Sequence, residues 1–478
     1  MRRVGENCGL CGVTGVRGDA QALVAEGLHA LQHRGQESAG ILAMTGRGLN
    51  LFKRQGLVAD ALAKLPAWWG SEDIRAAMGH VRYGTFGGEG VLNSQPILVD
   101  MTGRQVGIAH NGTISNAARI KRRLQRRGSI FQTQTDSEVV LHLMSRLLEE
   151  TDFNLRHALE LSLEKLEGAF CLLLMTPEGM YAIRDPLGFR PLCLGCIPEE
   201  GWVVASESIA FPGIGAEYVR EVEAGEILFL PYDGSEPRSG RFGSSHGLFA
   251  DGSPRLAQCI FEHVYFARPG SCVFGDSVYE VRVEMGAQLA REHPADCDIV
   301  MPVPDSGMFA ALGFSRELGI PFGMGFTRNH YVGRTFINPG QARRAAMVMR
   351  KLQPIPEAIR GKRLCVVEDS IVRGTTSTAR IRALRESGAR EVHMRVSCPP
   401  HRHGCYFGID FPEPKTLVAH GRTTDDIAEI LGLDSLGYLS REGMLSCVTA
   451  HSPDDYCTAC FDGDYPVEPP PAGDIHSC

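Results

Sequence analysis

The run Val366-Val367-Glu368-Asp369-Ser370-Ile371-Val372-Arg373-Gly374-Thr375-Thr376-Ser377 carries the densest chemistry in the chain. An apolar strand ends in two acids, and a Gly/Thr/Ser loop then opens a helix running to about Ser387. Backbone N–H groups at such a helix start are preorganised to hold a phosphate dianion, helped by the hydroxyls of Thr375, Thr376 and Ser377, the charge of Arg373 and the freedom of Gly374. Glu368 and Asp369 would then face sugar hydroxyls or an Mg²⁺. A solvated acidic strand end before an ordinary capped helix is the plain alternative, but strand, acid pair, loop and helix occur in the order phosphate binding needs.

Cysteines form the second reactive set. Cys8 and Cys11 each precede a glycine near the start of the chain. A thiol nucleophile needs a base, and a freed α-amino group, with a pKa of ~8, supplies one where no catalytic histidine is at hand. By itself Cys11 would read as a buried cysteine near a strand start. Far downstream, Cys457-Thr458-Ala459-Cys460 is a CxxC pair, which alone reads as zinc or as nothing.

Positioning these residues takes two kinds of architecture. From Cys11 to about Leu230, short apolar runs such as Ala169 to Met175 alternate with turn residues, and Thr176-Pro177-Glu178-Gly179 signals a hairpin. Leu155, Ala158, Leu159, Leu163 and Leu166 recur at helical spacing before Gly168. Thr135 and Glu138 have the spacing of a capping box for a helix from Val139 to Leu148. This half reads as α+β with antiparallel sheets. Between about Pro231 and Pro254 the Gly, Ser, Pro and Arg content suggests a linker or a long surface loop. Beyond it, the strand-like runs Asp298 to Pro304 and Leu364 to Val367 alternate with helical patterns, which indicates a parallel α/β sheet. Pro469-Pro470-Pro471 opens a tail too rich in proline to pack.

With 478 residues, 43% hydrophobic and 22% charged, the chain is long enough for two or three domains. A net charge of −7 and a pI near 6.2 lack the basic excess that nucleic-acid phosphates attract. No apolar run approaches the ~20 residues that span a bilayer, and the first residues lack a signal-peptide core. The expectation is a cytoplasmic protein acting on small molecules. Its fifteen cysteines are then thiols, ligands or nucleophiles and not a disulfide scaffold.

The Glu368 to Ser377 run resembles the signature of the type I phosphoribosyltransferases, and Cys11-Gly12-Val13-Thr14-Gly15-Val16 resembles the mature start of the class II glutamine amidotransferases. Leu31-Gln32-His33-Arg34-Gly35-Gln36-Glu37 matches a stretch found where the two are joined, in the iron–sulfur, propeptide-bearing amidophosphoribosyltransferase family. The resemblance implies an N-terminal nucleophile hydrolase four-layer sandwich over residues 11–240, an α/β phosphoribosyltransferase domain over 255–466, a propeptide of residues 1–10 and a mobile tail over 467–478. It implies Cys11 as nucleophile, Asn111 and the Gly112 N–H as oxyanion hole, Arg82 for the glutamine α-carboxylate and Asp136 for its α-amino group. Cys8 is the rival nucleophile; the downstream Val-Thr-Gly-Val favours Cys11.

For the second domain the resemblance implies phosphoribosyl pyrophosphate as substrate, with Mg²⁺ at Ser306, Glu368 and Asp369. It adds a closing loop that begins Arg328-Asn329-His330-Tyr331-Val332-Gly333-Arg334, with Arg328, Tyr331 and Arg334 on the pyrophosphate. The family commonly has two Asp residues where this chain has Glu368 and Asp369, and Lys-Asn-Arg where it has Arg328-Asn329-His330. Cys259 and Cys405 match the distant partners of Cys457 and Cys460. Four thiolates suit tetrahedral Zn²⁺ or a [4Fe–4S] cluster, and the residues alone do not choose; the resemblance implies the cluster. Purine nucleotide inhibitors and a homotetramer are implied as well. A glucosamine phosphate synthase type of amidotransferase is opposed by the Glu368 to Ser377 loop. A non-catalytic regulator is opposed by Cys11, Arg82, Asn111 and Asp136.

Overall fold

The computed structural model describes residues 8–66, 69, 73–83, 90–242, 255–329, 352–409 and 414–471. The first half is built on two antiparallel sheets. One has seven strands in the order Glu217–Glu221, Cys193–Ile197, Gly201–Ala205, Gly9–Thr14, Ala76–Arg82, Ser38–Thr45 and Gly48–Gln55. The other has six, in the order Arg238–Arg241, Glu226–Pro231, Gly179–Arg184, Gly168–Met175, Arg104–Ile114 and Ile97–Met101.

Leu10, Leu42, Met78, Leu173, Met180 and Leu228 fill the space between the sheets. The helix Ala20–Ala30 covers the outer face of the first sheet through Val24 and Leu28. The helices Glu138–Leu147 and Leu155–Leu163 cover the second through Val140, Met144 and Leu159. Helix, sheet, sheet and helix make the four layers of an N-terminal nucleophile hydrolase. The central strands, such as Gly9–Thr14 and Gly168–Met175, are buried on both faces because both sheets are covered on both sides.

Two sequence expectations are corrected here. The stretch after Pro231 is not all linker: Arg238–Arg241 pairs antiparallel with Glu226–Pro231 and closes the six-stranded sheet. The Thr135/Glu138 capping box does not form. The helix N-cap is Ser137, without a side-chain cap bond. Glu138 instead accepts from the Gln132 N–H, the Thr133 N–H and the Thr133 hydroxyl, each at 2.7 Å, and so ties down the loop before its own helix.

The second half is α/β. Four parallel strands run in the order Ile299–Pro302, Arg363–Glu368, Glu391–Val396 and Ser435–Tyr438. Helices Val278–Glu292, Met308–Leu318, Thr375–Glu386 and Thr424–Leu431 accompany this sheet. A short antiparallel pair, Phe326–Arg328 with Leu352–Pro354, brackets residues 330–351. Of the expected tail, Val467 packs against a small core at the junction of the two halves, and residues 472–478 lie outside those described. In that core the Phe189 and Phe407 rings stack at 4.5 Å.

Candidate functional site

In the strand Gly9–Thr14, side chains alternate between faces. Leu10 enters the space between the sheets, while Cys11 and Val13 turn to the opposite face, against the first helix. Cys11 is wholly buried, and a Cβ added at Gly27 of that helix would lie 2.5 Å from its Sγ. Burial alone pushes its thiol up to about 12. The structure therefore does not bring Cys11 to Arg82 and Asp136.

It brings Cys8 there instead. Cys8 is half-buried; burial raises its thiol, and the Tyr83 N–H and the Arg82 charge counter that rise. Asp136 and Glu37 are close enough to act on the same thiol. Arg82 donates from Nη1 to Glu37 at 2.9 Å. Asp136 accepts from the Ile114 N–H at 2.9 Å and lies 3.4 Å from His110 Nδ1. Burial would raise Asp136, but His110 and the hydrogen bonds from His110, Ile114 and Ser137 outweigh it and hold the carboxyl below its ordinary value. An anionic Asp136 and a cationic Arg82 are the pair that an amino acid's charged ends require.

Asn111 sits on the second sheet, facing the start of the first. The Ser206 hydroxyl accepts from the Leu10 N–H at 3.0 Å and stands 3.5 Å from Asn111 Nδ2, which ties the two sheets together beside Cys8. Gly112 has φ +141°, and a Cβ there would lie 2.1 Å from the Ala169 carbonyl, so only glycine fits.

In the second half, the strand Arg363–Glu368 ends at the acid pair and Gly374, at φ +74°, turns the chain into the helix Thr375–Glu386. That helix has no side-chain cap, which leaves its first N–H groups for an anion. Asp369 accepts from the Ser370 hydroxyl at 2.6 Å and from the Ser306 hydroxyl. The Ser306 loop lies tight against the strand: a Cβ at Gly307 would be 2.3 Å from the Val367 carbonyl. Burial raises both acids, against the charges of Arg380 on Glu368 and Arg282 on Asp369.

Ser377 is buried, its hydroxyl 3.4 Å from Glu368, whereas Thr375 is exposed and Thr376 half-buried. Arg373 is half-buried in the loop. Arg328 is ion-paired with Asp305. Tyr331 and Arg334 lie outside the described residues.

The four cysteines gather at the junction of the halves. Cys259 and Cys457 face one another in a parallel pair, Gln258–Cys259 with Tyr456–Cys457. Cys460 follows in the short helix Ala459–Asp462, and the Cys405 Sγ accepts from the Phe407 N–H at 3.4 Å. Burial raises all four thiols. Cys405, Cys259 and Cys457 each add to the rise at Cys460. Among the described residues no group of three or more His, Cys, Asp or Glu is arranged to hold a metal ion. The donor set is all thiol, converges from three segments and has the Arg190 guanidinium beside Cys259 and Cys405, which suits a soft metal with an anionic shell.

Sequence reasoning missed the charged residues between the halves. Arg34 donates to Glu207 and, at 2.6 Å, to Glu262; Arg190 donates to Glu262 at 3.1 Å; all four are essentially buried. Glu207 also accepts from the Ser271 hydroxyl at 2.6 Å and the Arg268 N–H at 2.8 Å. Arg380, on Glu368, was missed too. Arg34, Arg190, Glu207 and Glu262 read as exposed charges until partners far off in sequence are placed, and Arg380 does so until the loop folds its helix back onto Glu368.

The sandwich with a cysteine, an arginine and an aspartate at one end, joined to a parallel sheet with an acid pair and phosphate loop, defines a glutamine amidotransferase fused to a phosphoribosyltransferase. A sequence profile for the glutamine amidotransferase domain matches residues 89–212. The amidophosphoribosyltransferase of Methanothermobacter thermautotrophicus is 43% identical over 469 residues, 96% of this chain and 95% of that relative. That of Mycobacterium bovis is 43% identical over 478 residues, covering 97% and 87%. The solved glutamine phosphoribosylpyrophosphate amidotransferase from B. subtilis, complexed with ADP and GMP, matches with a TM-score of 0.88 at 40% identity, covering 97% of this chain and 98% of that one. The chain belongs to the amidophosphoribosyltransferase family. These pentosyltransferases take ammonia from glutamine and place it on phosphoribosyl pyrophosphate, giving 5-phosphoribosylamine, glutamate and pyrophosphate.

Proposed function

We propose that the glutamine nucleophile is Cys8 and that the mature chain begins there, with residues 1–7 as the propeptide. The observation that carries this reading is the shared neighbourhood of Cys8, Arg82 and Asp136. Arg82 holds the glutamine α-carboxylate and Asp136 the α-amino group, which sets the side-chain amide at Cys8 Sγ. The freed α-amino group takes the thiol proton as sulfur attacks the amide carbon, then delivers it to departing ammonia. Asn111 and the Gly112 N–H stabilise the oxyanion. Water then cleaves the thioester to release glutamate. Ammonia passes inside the protein to the second site, since free ammonia is protonated at neutral pH.

At that site the N–H groups of Thr375 to Ser377, with the Thr375 and Thr376 hydroxyls, hold the 5′-phosphate. Asp369, Ser306 and Glu368 surround the place of an Mg²⁺, which would neutralise the leaving pyrophosphate. Arg328 exchanges Asp305 for pyrophosphate when substrate enters, with Tyr331 and Arg334 joining it. Cys259, Cys405, Cys457 and Cys460 hold a [4Fe–4S] cluster whose role is structural, because neither reaction needs an electron. The nucleotides in the B. subtilis complex support purine nucleotides as inhibitors of this chain. A tetramer and a cytoplasmic location complete the reading. No helix among the described residues is long and apolar enough to cross a membrane.

The test is intact mass and N-terminal sequencing of glutamine-active enzyme. A chain beginning at Cys8 is the expected result; one beginning at Met1 or Cys11 overturns the assignment.

A further inference from the structure

Glu368 and Asp369 are neighbours at the end of one strand, so their side chains leave it in opposite directions. Asp369 goes to Ser306 and Ser370. Glu368 goes to the phosphate-binding helix: Arg380 donates from Nη1 to its Oε1, and the Ser377 hydroxyl stands 3.4 Å from its Oε2. This pair is not a surface ornament, since the Arg380 and Glu368 side chains are only 14% and 8% exposed. Arg380 lies in the second turn of the helix, beyond the loop that meets the phosphate. The extra methylene of glutamate over aspartate gives the acid reach across to it.

We propose that Arg380 is a positioning residue for phosphoribosyl pyrophosphate: through Glu368 it fixes the start of the phosphate-binding helix to the end of the strand that carries Asp369. The two acids then differ in one respect: both face the place of the substrate and its metal, and Glu368 alone is also tied back to the helix by Arg380. The substrate's covalent frame sets the distance between its 5′-phosphate and its reacting carbon, so helix and strand must be held at a matching spacing. Arg380 supplies that restraint without touching substrate.

The proposal rests on the reading that this loop takes the 5′-phosphate, and the experiment separates the two. Ammonia-dependent synthesis and calorimetric binding of ribose 5-phosphate, which needs no metal, are measured for R380M, E368Q, the double variant, R380K and D369N. Loss of one charge-assisted bond predicts about tenfold weaker ribose 5-phosphate binding and a KM for phosphoribosyl pyrophosphate raised about tenfold in R380M, with kcat changed less. E368Q should match it, and the double variant should be no worse than either single one. R380K should stay within about threefold of the parent, because one donor makes the bond. If R380M does not fold, E368Q and R380K carry the comparison.

Wild-type synthesis by D369N sinks the site reading itself. A dead D369N beside an R380M that binds ribose 5-phosphate normally overturns only the role given to Arg380. So do R380M and E368Q effects that multiply in the double variant.

Discussion

Arg190 reaches from the first half of the chain to the Phe407 carbonyl, donating from Nε at 3.1 Å and from Nη2 at 2.8 Å. Its remaining nitrogen, Nη1, donates to Glu262. One buried guanidinium thus grips the segment just after Cys405 and the acid that also receives Arg34. Domain junction and thiol cluster share this residue.

Replacing Arg190 with methionine strands part of the charge on Glu262 and the Phe407 carbonyl away from water. Breaking a buried pair from one side costs about 3–5 kcal/mol. The urea midpoint of R190M should fall accordingly, and its iron content should fall with it. An unchanged midpoint would mean that Arg190 adds nothing to what Arg34 and apolar packing already supply at the junction.

Glu207 gives the junction a pH dependence. Burial would raise its carboxyl, but the charges of Arg34 and His33 and the hydrogen bonds from His33 and Ser271 hold it well below its ordinary 4.5. For an acid lowered in the folded state, the stabilisation is complete above the unfolded value and is lost as pH falls through the folded one. Stability should therefore decline below pH 4.5, and Glu207→Gln should flatten that decline while costing about 3 kcal/mol at pH 7. Urea unfolding across pH 3 to 7 reads both, and a parent-like slope in the variant counts against Glu207.

The two candidate nucleophiles separate cleanly. Cys8→Ala should abolish glutamine use while ammonia-dependent synthesis persists, because the second site has its own chemistry. Cys11→Ala should keep most glutaminase activity and lose about 1 kcal/mol of stability, as a small buried apolar group. The reverse pattern would return the role to Cys11.

The thiol cluster predicts a brown protein after anaerobic purification, with about four iron and four sulfide per chain. Oxygen should bleach it and then unfold the junction. A colourless, air-stable, active protein with one zinc would replace the cluster and keep the ligands; full metal content in Cys259→Ser would remove that ligand.

Much of this fold is legible in the amino-acid sequence. The acid pair at a strand end, the loop that opens a helix and the parallel strands are legible because local order and apolar runs specify them. The choice of nucleophile is not legible in the same way, because Cys8 and Cys11 share a Cys-Gly signal and only the downstream Val-Thr-Gly-Val favours Cys11. What tells them apart is the two-residue alternation of a strand, which sets Cys11 beside Val13 on an apolar face. The strand Arg238–Arg241 looked like linker because its polarity belongs to a sheet edge, with a partner only on one side. Glu207 could not be read at all, since its ion pair with Arg34 joins two distant segments, and Arg380 is hidden because only the turn at Gly374 brings its helix back to Glu368.

The parallel pairing of Gln258–Cys259 with Tyr456–Cys457 also sets an order of manufacture. The sandwich draws every strand from residues before 242 and can be finished early in synthesis. The bridge between Cys259 and Cys457 must wait for nearly the whole chain. Until then Cys259 is held on one side only, by its N–H bond to the Phe189 carbonyl, and the segment gains its second neighbour when the last residues of the junction arrive.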